Sequence, residues 1–206
     1  MIAAVAAVAA LFAVCSAGSA SATVMCKVDF ETEELCPKES IYPVGTGVST
    51  SLKTGTSSKL NVGFTTVACE ESKMNGEITK QGELTETMTV GWSVVSFANC
   101  NATVKVEEAA GTAFHWAVKG GGLGTRGYGT FEDLKTTITS GSVSCTYGGA
   151  EIKGENLMAI AGKPGELQAK EMELPKLAGS FMCASTAKWT ATYTINSPSP
   201  FSLAVG

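Results

Sequence analysis

Six cysteines carry the clearest chemistry in this sequence: Cys26, Cys36, Cys69, Cys100, Cys145 and Cys183. Structural zinc sites gather their ligands in close C-x₂₋₄-C pairs, whereas the nearest two here, Cys26 and Cys36, stand 10 positions apart. An even cysteine number in an exported chain reads instead as disulfides. Three are expected, and neighbours in sequence are favoured as partners: Cys26 with Cys36, Cys69 with Cys100, Cys145 with Cys183. Export itself is expected from the N-terminus, where an apolar run from Ile2 to Val14 is followed by small residues ending Ala20-Ser21-Ala22, an A-x-A cleavage pattern. Residues 1–22 are therefore read as a signal helix, although the basic residue that usually precedes such a run is missing. The run is too short to span a membrane, which takes about 20 apolar residues. Cys15 falls inside the removed segment, and Val14 before it is too bulky for lipoprotein processing.

Other residues of catalytic type lack the partners their chemistry needs. His115 is the single histidine, so any Ser-His or Cys-His unit would have to use it. Its neighbours place it on the outward side of a strand, and no G-x-S-x-G elbow is present. The doublets Glu33-Glu34, Glu70-Glu71, Glu107-Glu108 and Glu132-Asp133, with Glu171 and Glu173, could offer a glycosidase pair. Adjacent strand residues point to opposite faces, so most of these are expected to be solvated charge. Gly122-Leu123-Gly124-Thr125-Arg126-Gly127 matches G-x-G-x-x-G, but strand-like Tyr128 to Phe131 follows where a nucleotide-binding unit needs a helix. A long hairpin loop is the better reading. No calcium loop of the D-x-D-x-D-G type appears. Asn101-Ala102-Thr103 is a glycosylation sequon, and Thr190-x-Thr192-x-Thr194 looks like one rung of an ice-binding ladder but reads as the polar face of an edge or surface strand. No metal and no cofactor is expected.

The elements that must position these residues are strands. Trp189, Ala191, Tyr193 and Ile195 alternate with Lys188, Thr190, Thr192 and Thr194, giving one core face and one wet face. Phe114, Trp116 and Val118 alternate with His115 and Lys119 in the same way. Shorter runs are read at Val48–Leu52, Leu60–Val67, Glu77–Thr79, Thr87–Phe97, Thr103–Val106, Thr136–Ile138, Val143–Tyr147 and Leu157–Ile160. Turn residues break them at sandwich or barrel spacing, while Gly165 to Leu177 could hold a helical turn. The fold class expected is all-β, an antiparallel β-sandwich or barrel-like domain stapled by three disulfides. An antibody-type domain would show a Tyr two residues before its second Cys; Val143 and Phe181 stand there instead. Residues 23–206 suit a single domain, having no linker and no repeat. With 19 acidic and 15 basic residues the net charge is −4, too mild and too evenly spread along the chain to imply nucleic acid or a membrane as partner.

Several segments together resemble a known group. Cys26 followed by an acidic stretch and Cys36-Pro37, then Ile41-Tyr42-Pro43-Val44-Gly45-Thr46, Cys69-Glu70-Glu71-Ser72, Ala187-x-Trp189-x-Ala191-Thr192-Tyr193 after Cys183, and Ser197-Pro198-Ser199-Pro200 are similar to a family of uncharacterised secreted proteins encoded in multiple copies by soil actinobacteria. The likeness covers nearly all of the mature chain and is weakest from Met88 to Ser140, where relatives often carry an additional cysteine pair. It implies secretion and an all-β fold, and no activity or site. The function expected is a non-catalytic structural or binding module, secreted or at the cell envelope, with an envelope or extracellular polymer as partner. The alternative is a secreted polysaccharide hydrolase using a carboxylate pair.

Overall fold

The structure is a computed structural model that describes residues 23–28, 36–82, 87–116, 126–152 and 157–205, with the side chains of His115, Trp116, Arg126 and Val205 excepted. The segment 1–22 expected to be a signal, with Cys15, the Glu33-Glu34 doublet and most of the Gly122 to Gly127 loop lie outside the described residues. What is described is antiparallel β-structure. Its strands are β1 (Thr23–Cys26), β2 (Gly47–Leu52), β3 (Ser58–Gly63), β4 (Thr66–Lys80), β5 (Met88–Cys100), β6 (Thr103–Glu108), β7 (Gly111–Trp116), β8 (Arg126–Ser140), β9 (Val143–Ile152), β10 (Leu157–Ile160), β11 (Gly165–Gly179), β12 (Cys183–Ser197) and β13 (Ser202–Val205).

These strands form an up-and-down barrel of eight walls. β2 and β3 run end to end as one wall, as do β6 with β7 and β9 with β10, because each member of a pair lies antiparallel to the same long neighbours. The chain then follows the walls in order, and β12 returns to pair with β2 and β3. Closure removes the free edges that an open sheet would expose. Between the two formats allowed by the sequence, the barrel is the one adopted.

Alternation fills the inside. Ala187, Trp189, Ala191, Tyr193 and Ile195 are all buried on β12, as predicted, and Lys188 and Thr190 face water. Trp189 lies at the centre, 5.6 Å from the Phe131 ring, 6.1 Å from Tyr193 and 6.2 Å from Phe97. The buried rings with a polar handle find partners for it, as burial requires. Trp189 Nε1–H donates to Ser58 Oγ at 2.9 Å, Tyr193 Oη and Ser72 Oγ bond at 2.8 Å, and Trp92 Nε1–H donates to Thr112 Oγ1 at 2.8 Å. The outward face carries Lys59, Asn61, Lys73, Glu77 and Lys105; a membrane-spanning barrel has the reverse pattern.

The two ends of the barrel are built differently. One is covered by β1 paired antiparallel with β13, which sends Met25, Phe201 and Leu203 into the main core. Cys26–Cys36 fastens the chain following β1 to this cover. The other end consists of short hairpin turns, and near it Cys69–Cys100 joins facing residues of β4 and β5 while Cys145–Cys183 joins β9 to β12 across β11. Three disulfides of this kind mark a chain that matures in an oxidising environment.

Two local expectations are corrected. The segment Gly165 to Leu177 is strand β11, not a helical turn: Glu171 has φ 51°, and a bulge there leaves Leu167, Ala169, Met172 and Leu174 as the buried set, which breaks the period of two. The run Leu60–Val67 is two strands, because Gly63 takes φ 95° and turns the chain back.

Candidate functional site: the free edge of β5

One stretch of the barrel wall is not zipped. β5 pairs with β4 from Thr89 to Cys100, but on its other side it pairs with β7 only over Met88–Gly91. Trp92 N–H donates to Ala110 O at 3.2 Å, and beyond that point no backbone hydrogen bond joins β5 to β6.

Side chains hold the two strands apart. The turn between them is anchored to β4: Asn101 N–H donates to Ala68 O at 3.1 Å, Asn101 Oδ1 accepts from Ala68 N–H at 2.9 Å, and Asn101 Nδ2 donates to Thr66 O at 3.3 Å. Asn99, at φ 52°, donates from Nδ2 to Glu71 Oε1 at 2.8 Å, and Cys69–Cys100 adds a covalent tie in the same direction. β6 is held the other way, on β8. Lys135 Nζ lies 3.1 Å from Glu107 Oε2 and 3.9 Å from Glu108 Oε1, and Thr137 Oγ1 donates to Glu107 Oε1 at 3.1 Å. The resulting seam exposes part of the barrel lining: Val95 and Phe97 of β5 and Val104 and Val106 of β6 are half-buried against the core.

Three hollows converge on this strand. One of about 330 Å³ lies in the seam itself between Trp92–Val95 and Val106–Ala109. A second of about 430 Å³ sits above Gly76 and Gly91, where the two backbones come so close that a Cβ on Gly76 would stand 2.0 Å from Gly91 O. The third, about 550 Å³, lies on the β4 side beneath Val94, Ser96 and Ala98. Trp92, Ser93 and Val94 are where they meet. No protein-family model, curated protein or solved structure matches this chain. Its chemistry must be read from the geometry alone.

The residues singled out by sequence divide clearly. Cys26, Cys36, Cys69, Cys100, Cys145 and Cys183 form the three neighbour pairs. His115 stands on β7 opposite Tyr128, with its side chain outside the description. Glu107 and Glu108 depart from the opposite-faces rule, because the register shifts between Val106 and Glu108 and both carboxylates reach Lys135. The Lys135 hydrogen bond, then that of Thr137, holds the Glu107 carboxyl below its ordinary value, the opposite of what a general acid needs. Glu166 is lowered in the same way by Lys53 and then Gln168. Glu171 pairs with Lys188 at 3.3 Å. The Asn101 sequon serves the β4 backbone with both amide atoms. The Thr190, Thr192 and Thr194 strand is no edge, since β12 is paired on both sides. Among the described residues no group of His, Cys, Asp or Glu is assembled to hold a metal ion. The seam itself escapes sequence reasoning: Phe97 and Val106 look like any other core residues of alternating strands.

Proposed function

We propose that the protein is a secreted, non-catalytic binding module that works outside the cell or at its envelope and takes an extended polymer along the free edge of β5. The seam carries this reading. A row of unpaired backbone N–H and C=O groups beside half-buried apolar side chains suits an added strand, with the main chain giving affinity and alternate side chains giving selectivity. Polypeptide fits better than polysaccharide, because sugar rings stack on exposed aromatic faces and Trp92 is buried with its indole N–H already used. A hydrolase is the weaker reading, since Glu107 and Glu166 are both shifted toward the ionised form. The three disulfides support export.

Hydrogen exchange tests the reading. A peptide alternating Val with Thr and Lys should slow exchange at Ser93–Asn99 and in β6 by about tenfold, the effect of roughly one hydrogen bond per amide. Cello- and chito-oligosaccharides should leave those amides unchanged. Protection by an oligosaccharide instead, or peptide binding that leaves Ser93–Asn99 unprotected, would overturn it.

A further inference from the structure

We propose that the polypeptide taken along the free edge of β5 is a basic one, with lysine or arginine at the alternate positions that face water. The proposal rests on the edge reading above and adds to it the chemistry of the partner.

Alternation divides the side chains of an added strand into two sets. One set meets Val95, Phe97, Val104 and Val106, which pack against the core, so it must be apolar. The other lies outside, level with Val94, Ser96 and Ala98 of β5. Val94 is 40% exposed, and Ser96 and Ala98 are small. A long aliphatic stem can lie across that floor. Neighbouring strands stand about 4.8 Å apart, so the charged head of a lysine or arginine reaches the side chains one strand away.

What it meets there is acid. Among the described residues, the charged side chains lining the three hollows around β5 are Glu70, Glu71, Glu77, Glu107 and Glu108, with Lys73 the single base. They accompany the edge along its length: on β4, Glu71 is paired with Ala98 and Glu77 with Gly91, while Glu107 and Glu108 border the seam from β6. A wider circle keeps the sign. Glu132, whose Oε2 would stand 3.6 Å from a Cβ on Gly111, adds acid together with its neighbours Asp133 and Glu151. Lys59, Lys80, Lys105 and Lys135 add base, which leaves eight carboxylates against five ammonium groups among the described residues. Lys135 is itself engaged by Glu107 and Glu108.

Charge therefore chooses among the extended chains that backbone pairing alone would accept. A basic strand is drawn to this rim and an acidic one is repelled. A second copy presenting its own β5 would leave the acids unmatched, because Met88–Cys100 contains no charged residue.

Three short peptides test the proposal, each with Val at alternate positions and Lys, Thr or Glu between them. Titration calorimetry should rank them Lys, Thr, Glu, with about tenfold between first and last at low salt and a narrower gap as salt rises. Glu70→Gln with Glu77→Gln should weaken the Lys peptide about fivefold, the effect of two exposed ion pairs, and leave the Thr peptide as it was. The melting temperature should hold, since both residues are exposed. A Thr or Glu peptide that binds as tightly as the Lys peptide, while still protecting Ser93–Asn99 from hydrogen exchange, would overturn the preference and leave the edge reading standing. The double variant binding the Lys peptide as the wild type does would overturn it too. Failure of all three peptides to protect Ser93–Asn99 would overturn both readings.

Discussion

Along one edge β5 is paired with β4 from Thr89 to Cys100; along the other it pairs only at Met88–Gly91 and then faces β6 across an open seam. Both neighbours are next to β5 in the chain, and the β5–β6 turn is the tighter of the two connections. A short turn between strands ordinarily zips a hairpin, but here the turn is pulled sideways by Asn101 and by Cys69–Cys100. Adjacency in sequence places two strands side by side. Whether they bond is decided by what else holds each of them.

The largest expected effect lies in the shared core behind both edges. Trp189→Ala should cost about 3–5 kcal/mol, since the ring is buried among Phe97, Phe131 and Tyr193. Thr192→Ala on the outward face should cost within about 0.5 kcal/mol. Equal shifts of the two denaturation midpoints would mean that the β12 register is wrong. Next comes the tie between β4 and β5. Replacing Cys69 and Cys100 with Ala should cost about 4 kcal/mol by the loop-entropy argument. It should also slow hydrogen exchange at Ser93–Asn99 if the disulfide is what keeps the seam open; unchanged exchange would leave Asn101 as the cause.

Smaller effects separate the remaining anchors. Asn101→Ala removes the amide partners of Ala68 and Thr66 and should cost about 1 kcal/mol in urea unfolding, without increasing exchange in β7. Acid acts on the opposite side of the seam. The Glu107 carboxyl, held by Lys135 below its ordinary value of 4.5, stabilises the β6–β8 contact above that pH. Its contribution fades as pH falls through the lowered value. Protection factors in β6, corrected for the intrinsic rate at each pH, should therefore fall in acid before those in β4 do, and Glu107→Gln should abolish that order. Loss of protection in both strands together would show that the pair does not hold β6.

Local pattern explains what is legible in the sequence. β12 can be read directly because Trp189, Ala191, Tyr193 and Ile195 keep a strict period of two against polar neighbours. β11 cannot, because the bulge at Glu171 puts Ala169 and Met172 three apart on the same face. The candidate site is harder still. Asn101 reads as a glycosylation sequon, and only its contacts with β4 reveal it as an anchor. Glu107 and Glu108 read as opposed charges, and only the register shift brings them to one lysine.

The sequence by itself determined the all-β class and the buried face of β12, and favoured the cysteine partners that the structure shows, because alternation and spacing are properties of short stretches of chain. Tertiary structure alone decided that the sheet closes as a barrel and that one seam in its wall stays open. It also decided that Phe64 and Phe181, more than a hundred residues apart in the chain, lie in turns at one end of the barrel. Those outcomes rest on contacts between distant segments, where a strand's two edges compete for partners, and no local pattern records which edge wins.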